Sequence, residues 1–151
     1  MTSVETHGLH QRMAAGKLAP AVYKAMVAFD RSIELNPVLR ELIKIRASQL
    51  NGCAYCLDMH TRDAREAGED ERRLATLAGW REAPFFTERE RAALALTDAV
   101  TRLGEHGVTD EVWNAAAAHF DEPELAQVVW AIAAINSWNR LGVATHLQPA
   151  P

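Results

Sequence analysis

Cys53 and Cys56 are the only thiols of the chain, three positions apart, with His60 four positions beyond the second. Residues three and four apart share a helix face, so a helix opening near Cys53 puts all three side chains on one stripe. A thiol at a helix N-terminus meets the positive end of the macrodipole and unpaired N–H groups, which favour the reactive thiolate. An imidazole one turn further on exchanges protons close to neutral pH. A second cysteine at this spacing can attack an oxidised first one and close a disulfide. The chemistry these residues allow is therefore a cycle from thiolate through sulfenic acid to disulfide. Glu41 stands twelve positions before Cys53. If the two helices form an antiparallel hairpin around Asn51-Gly52, its carboxylate comes from about three turns up the first one. There it serves either as the far end of a proton relay or as a surface partner of Lys44 or Arg40.

Other chemistries compete for the same residues. Two buried cysteines can act as small hydrophobes in a core. Cys53, Cys56 and His60 supply three zinc ligands where a structural site wants four; His146 or Glu41 would have to complete it, and neither has ligand spacing. A c-type haem needs histidine immediately after the second cysteine, and that residue is Leu57. Of the remaining histidines, His7, His10, His106 and His119 read as solvated or capping positions. Asp58 reads as first-turn charge complementing the helix dipole.

The elements that must position this motif are helical throughout, because no run alternates at period two. Residues 13–35 carry one stripe through Val22, Met26 and Phe29, ended by Asn36-Pro37. Pro37 suits the first turn of a helix over residues 38–50, with Leu39, Leu42, Ile43 and Leu50 on its core face. Asn51-Gly52 stops it. The motif helix follows over residues 53–67, ended by Gly68, and Asp70 caps a short helix through Ala78. Pro84 and Phe85-Phe86 form a connector. Thr87 and Glu90 make a capping box for a helix to about Leu103, with Ala92, Leu94, Ala95, Ala99 and Leu103 facing inward. A helix over residues 109–120 precedes the longest one, over about residues 125–146. The latter is apolar on most of its circumference (Val128, Val129, Ile132, Ile135), as a central or interface helix is. Trp138, Asn139 and Arg140 on it read as core or subunit packing. The expectation is an all-α single domain over residues 1–151 with about seven helices.

The length suits one domain with a full core. A net charge of −4 argues against a nucleic-acid partner, which requires a basic face. The opening residues MTSVETHGLHQR lack the apolar stretch of a signal peptide. The longest apolar run, residues 125–135, is too short to span a bilayer. The chain is expected to be cytoplasmic, where a CxxC is redox or metal chemistry rather than a staple.

Glu41, eleven intervening residues, then Cys53-x-x-Cys56-x-x-x-His60 resembles the signature of the AhpD-like alkylhydroperoxidase family, which belongs with the carboxymuconolactone decarboxylase fold. The motif core covers residues 39–68, and Ile135-Asn136-Ser137-Trp138-Asn139-Arg140-Leu141 is similar to the closing helix of short members. The resemblance implies an all-helical homo-oligomer, trimeric or hexameric, that reduces hydroperoxides without a bound cofactor or metal. It further implies Cys56 as the peroxide-attacking thiol, Cys53 as the resolving thiol, and His60 with Glu41 as the proton relay. An external dithiol, of lipoyl type in the best-known members, re-reduces the pair. Those members carry histidine directly before the second cysteine, where this chain has Tyr55. A tyrosine there does not titrate near neutral pH but can donate a hydrogen bond. Two other outcomes fit the same fold: a decarboxylase, whose chemistry does not need paired thiols, and a redox-sensing or scaffold oligomer that only cycles the disulfide.

Overall fold

Prolines and glycines decide where this chain turns. In the computed structural model, which describes residues 8–151, eight α-helices and one 3-10 turn follow one another, with no strand among the described residues. They are α1 (Ala15–Leu18), α2 (Pro20–Ser32), α3 (Pro37–Asn51), α4 (Ala54–Glu66), α5 (Glu71–Thr76) with a 3-10 turn at Leu77–Gly79, α6 (Glu88–Thr101), α7 (Asp110–His119) and α8 (Glu122–Thr145). His7 lies outside the described residues. The single helix expected over residues 13–35 is instead two. Pro20 opens α2, and the residue before it, Ala19, sits outside the α region at φ −128° and ψ 68°, as the proline ring demands.

Polar side chains cap the helix starts, the expected ones at Asp70 and Thr87 among them. The Asn36 side chain accepts from the N–H groups of Val38 and Leu39, and Asp70 accepts from Arg72 and Arg73. Thr87 and Glu90 form the reciprocal capping box. Asp121 accepts from the N–H of Glu124. Each such cap contributes about 1 kcal/mol. At the other end of α3, Gly52 adopts the left-handed region at φ 67°, which allows α4 to fold back along α3.

Helix α3 is the hub, packing most extensively on α8, α4 and α6. Its Leu39 and Ile43 join Ile33 and Leu35 of the preceding segment, Ala93 and Leu96 of α6, and Val128, Ala131 and Ile132 of α8 in the main core. On the other side, Leu42 and Ile45 meet Ala64, Leu74, Leu77, Trp80, Phe86 and Leu94. Helix α8 is the central helix its composition implies, with Val128, Ile132 and Ile135 fully buried. Helix α6 is shorter than expected. It ends at Thr101, so Leu103 lies past it and is exposed, while Ala95 and Ala99 are only half-buried. Helix α2 buries no residue. It rides on the outside, held by edge-on aromatic pairs between Tyr23 and Trp138 and between Phe29 and Trp130. No helix among the described residues is long and apolar enough to cross a membrane.

One polar cluster ties α3 to α6. The Asp98 carboxylate accepts from Arg46 Nε at 2.7 Å, Arg81 at 2.7 Å and the Trp80 indole at 3.3 Å. Burial pushes this carboxyl up, but the hydrogen bonds and charges of Arg46 and Arg81 outweigh it, and the net shift is downward. A carboxyl held below its unfolded value adds stability above the ordinary range, near pH 3.9, and loses it as pH falls through the folded value. Asp98→Asn should therefore cost about 2 kcal/mol at pH 7. Urea unfolding should show the gap between variant and wild type closing below about pH 3.9; a gap independent of pH would refute the charge-based account.

Candidate active site

Cys53 sits at the N-cap of α4, with extended backbone, and its sulfur accepts from the N–H of Cys56 at 3.4 Å. The two cysteines are joined in a disulfide with their Cα atoms 5.4 Å apart. Both are buried, as is His60 one turn beyond Cys56. The hairpin around Gly52 brings α3 alongside, and His60 Nδ1 lies 3.0 Å from Glu41 Oε2. With Glu41 ionised, the ring N–H donates to it, which orients the imidazole and leaves Nε2 as its other proton-exchanging atom. The sequence-derived constellation of Glu41, Cys53, Cys56 and His60 is thus assembled in one place. Neither surface partner considered for Glu41 holds it. Lys44 donates to both oxygens of Asp30 at 2.9 and 3.1 Å, and Arg40 donates to the carbonyls of Ile33 and Leu35.

The site opens on one side. A cavity of about 520 Å³ is bordered by Cys56, His60, Tyr55 and Met59 of α4, but not by Cys53. Its other walls come from Tyr23 and Val27 of α2, Trp138, Leu141 and Gly142 of α8, and the segment around α1. Glu41 faces elsewhere. It borders a small hollow of about 80 Å³ with Pro37, Val38 and Gly68, at the C-terminal end of α4. The His60–Glu41 hydrogen bond therefore connects two separate spaces.

Of the two residues weighed as a fourth zinc ligand, Glu41 meets His60 Nδ1 and His146 closes α8 in the left-handed conformation. Among the described residues, Glu41, His60 and Asp63 are the group able to converge on a metal ion, with ligand atoms within 4.8 Å of one another. Asp63 is exposed, and Glu41 already occupies His60 Nδ1. Asp58 pairs with Arg62 on the surface at 2.8 Å.

Two features of α8 position the site. Asn139, fully buried, accepts from the Asn51 side-chain amide at 3.0 Å and donates to Ser48 Oγ at 2.9 Å, pinning α8 to the end of α3. Asn51 also donates to Asn136. Three residues after Asn139, Gly142 presents bare backbone to the disulfide: a Cβ there would stand 2.9 Å from Cys53 Sγ and 3.9 Å from Cys56 Sγ. Sequence patterning predicts packing for Trp138, Asn139 and Arg140, which holds for Asn139 and for Trp138, packed against the cysteines and Ile135, while Arg140 is exposed and donates to Asn136; it misses Gly142. The available signal was a glycine inside an apolar helix, where glycine costs about 1 kcal/mol unless packing requires it.

The fold and this arrangement are those of an AhpD-like protein. A protein of unknown function from Agrobacterium tumefaciens, provisionally assigned to antioxidant defence as AhpD, superposes with a TM-score of 0.90 at 39% identity, over 94% of this chain and 99% of that one. The debrominase Bmp8 shares the fold at 21% identity and a TM-score of 0.79, over 89% of this chain and 74% of that one. The sequence profile of the carboxymuconolactone decarboxylase family matches residues 20–99, and the chain belongs to that family. It is also 41% identical to the uncharacterised protein YdfG of Bacillus subtilis over 90% of this chain and 95% of that protein.

An alanine in place of a mid-helix glycine ordinarily adds about 1 kcal/mol. Here the sign should reverse, with Gly142→Ala losing about 1–3 kcal/mol from overpacking against Cys53. Thermal unfolding of the oxidised protein measures this, and a raised melting temperature would contradict the close approach.

Proposed function

We propose that the protein is a cysteine-dependent hydroperoxide reductase. The observation that carries this reading is the asymmetry of the pair: Cys56 and His60 border the cavity, whereas Cys53 is sealed beneath Gly142. In the reduced protein, the Cys56 thiolate attacks the terminal oxygen of a hydroperoxide. The sulfur gains OH and becomes a sulfenic acid, the O–O bond breaks, and an alkoxide leaves. His60 supplies the proton that turns alkoxide into alcohol, and Glu41 steadies the imidazolium and passes protons to the hollow that it borders. Cys53 then attacks the Cys56 sulfur, the S–O bond breaks, and the leaving hydroxide takes up the Cys53 proton and departs as water. The disulfide is returned to two thiols by an external dithiol, which is itself oxidised. Tyr55, beside Cys56 on the cavity wall, donates a hydrogen bond to the bound peroxide.

The same reading makes the protein a cytoplasmic homo-oligomer. Leu18, Val22 and Trp130 are all more than half exposed, and a second copy would cover such a surface.

Stopped-flow oxidation of the pre-reduced protein by cumene hydroperoxide tests the chemistry. Wild type should react far faster than free cysteine, Cys56→Ser should be inert, and Cys53→Ser should stop at the sulfenic acid. His60→Asn and Glu41→Gln should each slow oxidation, His60→Asn by about 10²-fold. A wild-type rate no higher than that of free thiol would sink the reading and leave thiol–disulfide exchange with a partner as the function.

A further inference from the structure

The cavity beside Cys56 has a composition that the redox cycle does not by itself explain. Most of its walls are apolar: Met13, Val27, Met59, Trp138, Leu141 and Leu147. One wall is made by residues 11–17, a strap laid across the end of α8. The Arg12 backbone N–H donates to the Thr145 carbonyl at 2.8 Å, and its guanidinium donates to the Ala144 carbonyl at 3.1 Å. The strap brings Lys17 to the cavity rim.

The charges at this rim are unbalanced. Lys17 is exposed and pairs with no carboxylate among the described residues. The carboxylate on the wall, Asp30, is already held through both oxygens by the buried Lys44, so its charge is compensated. His60 is turned to Glu41. What remains among the lining residues is one exposed, uncompensated ammonium group on a flexible stem, bordering an apolar chamber. An ammonium at the edge of an apolar wall keeps its head in water and its stem on the wall, and it attracts an anionic group brought there by an apolar body.

Resting on the hydroperoxide reading for its catalytic meaning, we infer that the cavity selects amphipathic carboxylates. An aliphatic chain lies along Met59, Trp138 and Leu141, and Lys17 holds the carboxylate at the rim. The corresponding substrate class is hydroperoxides of fatty acids in free-acid form, whose chain delivers the O–O group to Cys56.

Binding can be separated from turnover by calorimetric titration of the oxidised protein with two probes of equal tail and opposite head, dodecanoate and dodecyltrimethylammonium, below their micellar concentrations. Wild type should bind dodecanoate at least about tenfold more tightly, a difference of about 1.4 kcal/mol. Lys17→Met should remove most of that preference and Lys17→Glu should reverse it. Bound dodecanoate should also slow alkylation of Cys56 in the reduced protein. Equal affinity for the two probes, a preference unchanged in Lys17→Glu, or binding that leaves Cys56 fully reactive would each overturn the inference. Head-group selectivity without peroxide turnover would leave this site standing and remove the peroxidase reading; turnover of cumene hydroperoxide without the selectivity would do the opposite.

Discussion

Glu41 and His60 belong to different helices and are nineteen residues apart, yet they meet at 3.0 Å. That meeting depends on Gly52, whose left-handed backbone reverses the chain within one residue. A side chain at this position would be strained by its own Cβ. The same reversal leaves Cys53 as the first residue outside α4, where its sulfur serves as the helix cap. The Glu41–His60 pair and the cysteine pair are thus placed by a single turn, with α3 supplying the rigid rail. Leu42, Ile43 and Ile45 anchor that rail in both halves of the core.

The third wall of the site comes from far along the chain, and polar groups set its register. Asn139 reaches Ser48 and Asn51 through hydrogen bonds that are satisfied on both sides. A buried amide left unpaired costs about 1–3 kcal/mol, so a slip of α8 along α3 is penalised twice. This fixes which residue of α8 meets the sulfurs, and only glycine fits there. Apolar contacts alone would tolerate several registers; the asparagine specifies one.

Local signals made the helices and the motif legible. Caps at Asp70 and Thr87, and the stops at Gly52 and Gly68, are short-range chemistry and read directly from residue types. So did the sharing of one face by Cys53, Cys56 and His60. The contact between Glu41 and His60 followed only once a hairpin and a family likeness were assumed, because the carboxylate has other cations within reach on its own helix. What could not be read was contact between distant segments. Nothing local to Lys44 says that it crosses to Asp30, and nothing local to residues 11–17 says that they wall the cavity. The break before Pro20 was visible in principle, since it obeys the same rule applied at Asn36-Pro37, but the apolar stripe through Val22 and Phe29 concealed it; α2 itself ends earlier than expected, at Ser32. Leu103 was misplaced because period alone does not say where a helix ends.

The cap at Cys53 ties the backbone of α4 to the oxidation state of the sulfurs. In the disulfide, the Cys56 N–H is met by a neutral sulfur at 3.4 Å, a weak acceptor. When the pair is opened, the free N–H groups and the dipole of the α4 terminus favour thiolate over thiol. The terminus thus stabilises the reduced form more than the oxidised one, and stabilising the reduced dithiol raises a pair's reduction potential. Such a disulfide is easily surrendered to an electron donor. In the proposed cycle, the helix end therefore acts as a bias on electron transfer, favouring the opened pair over the cross-link.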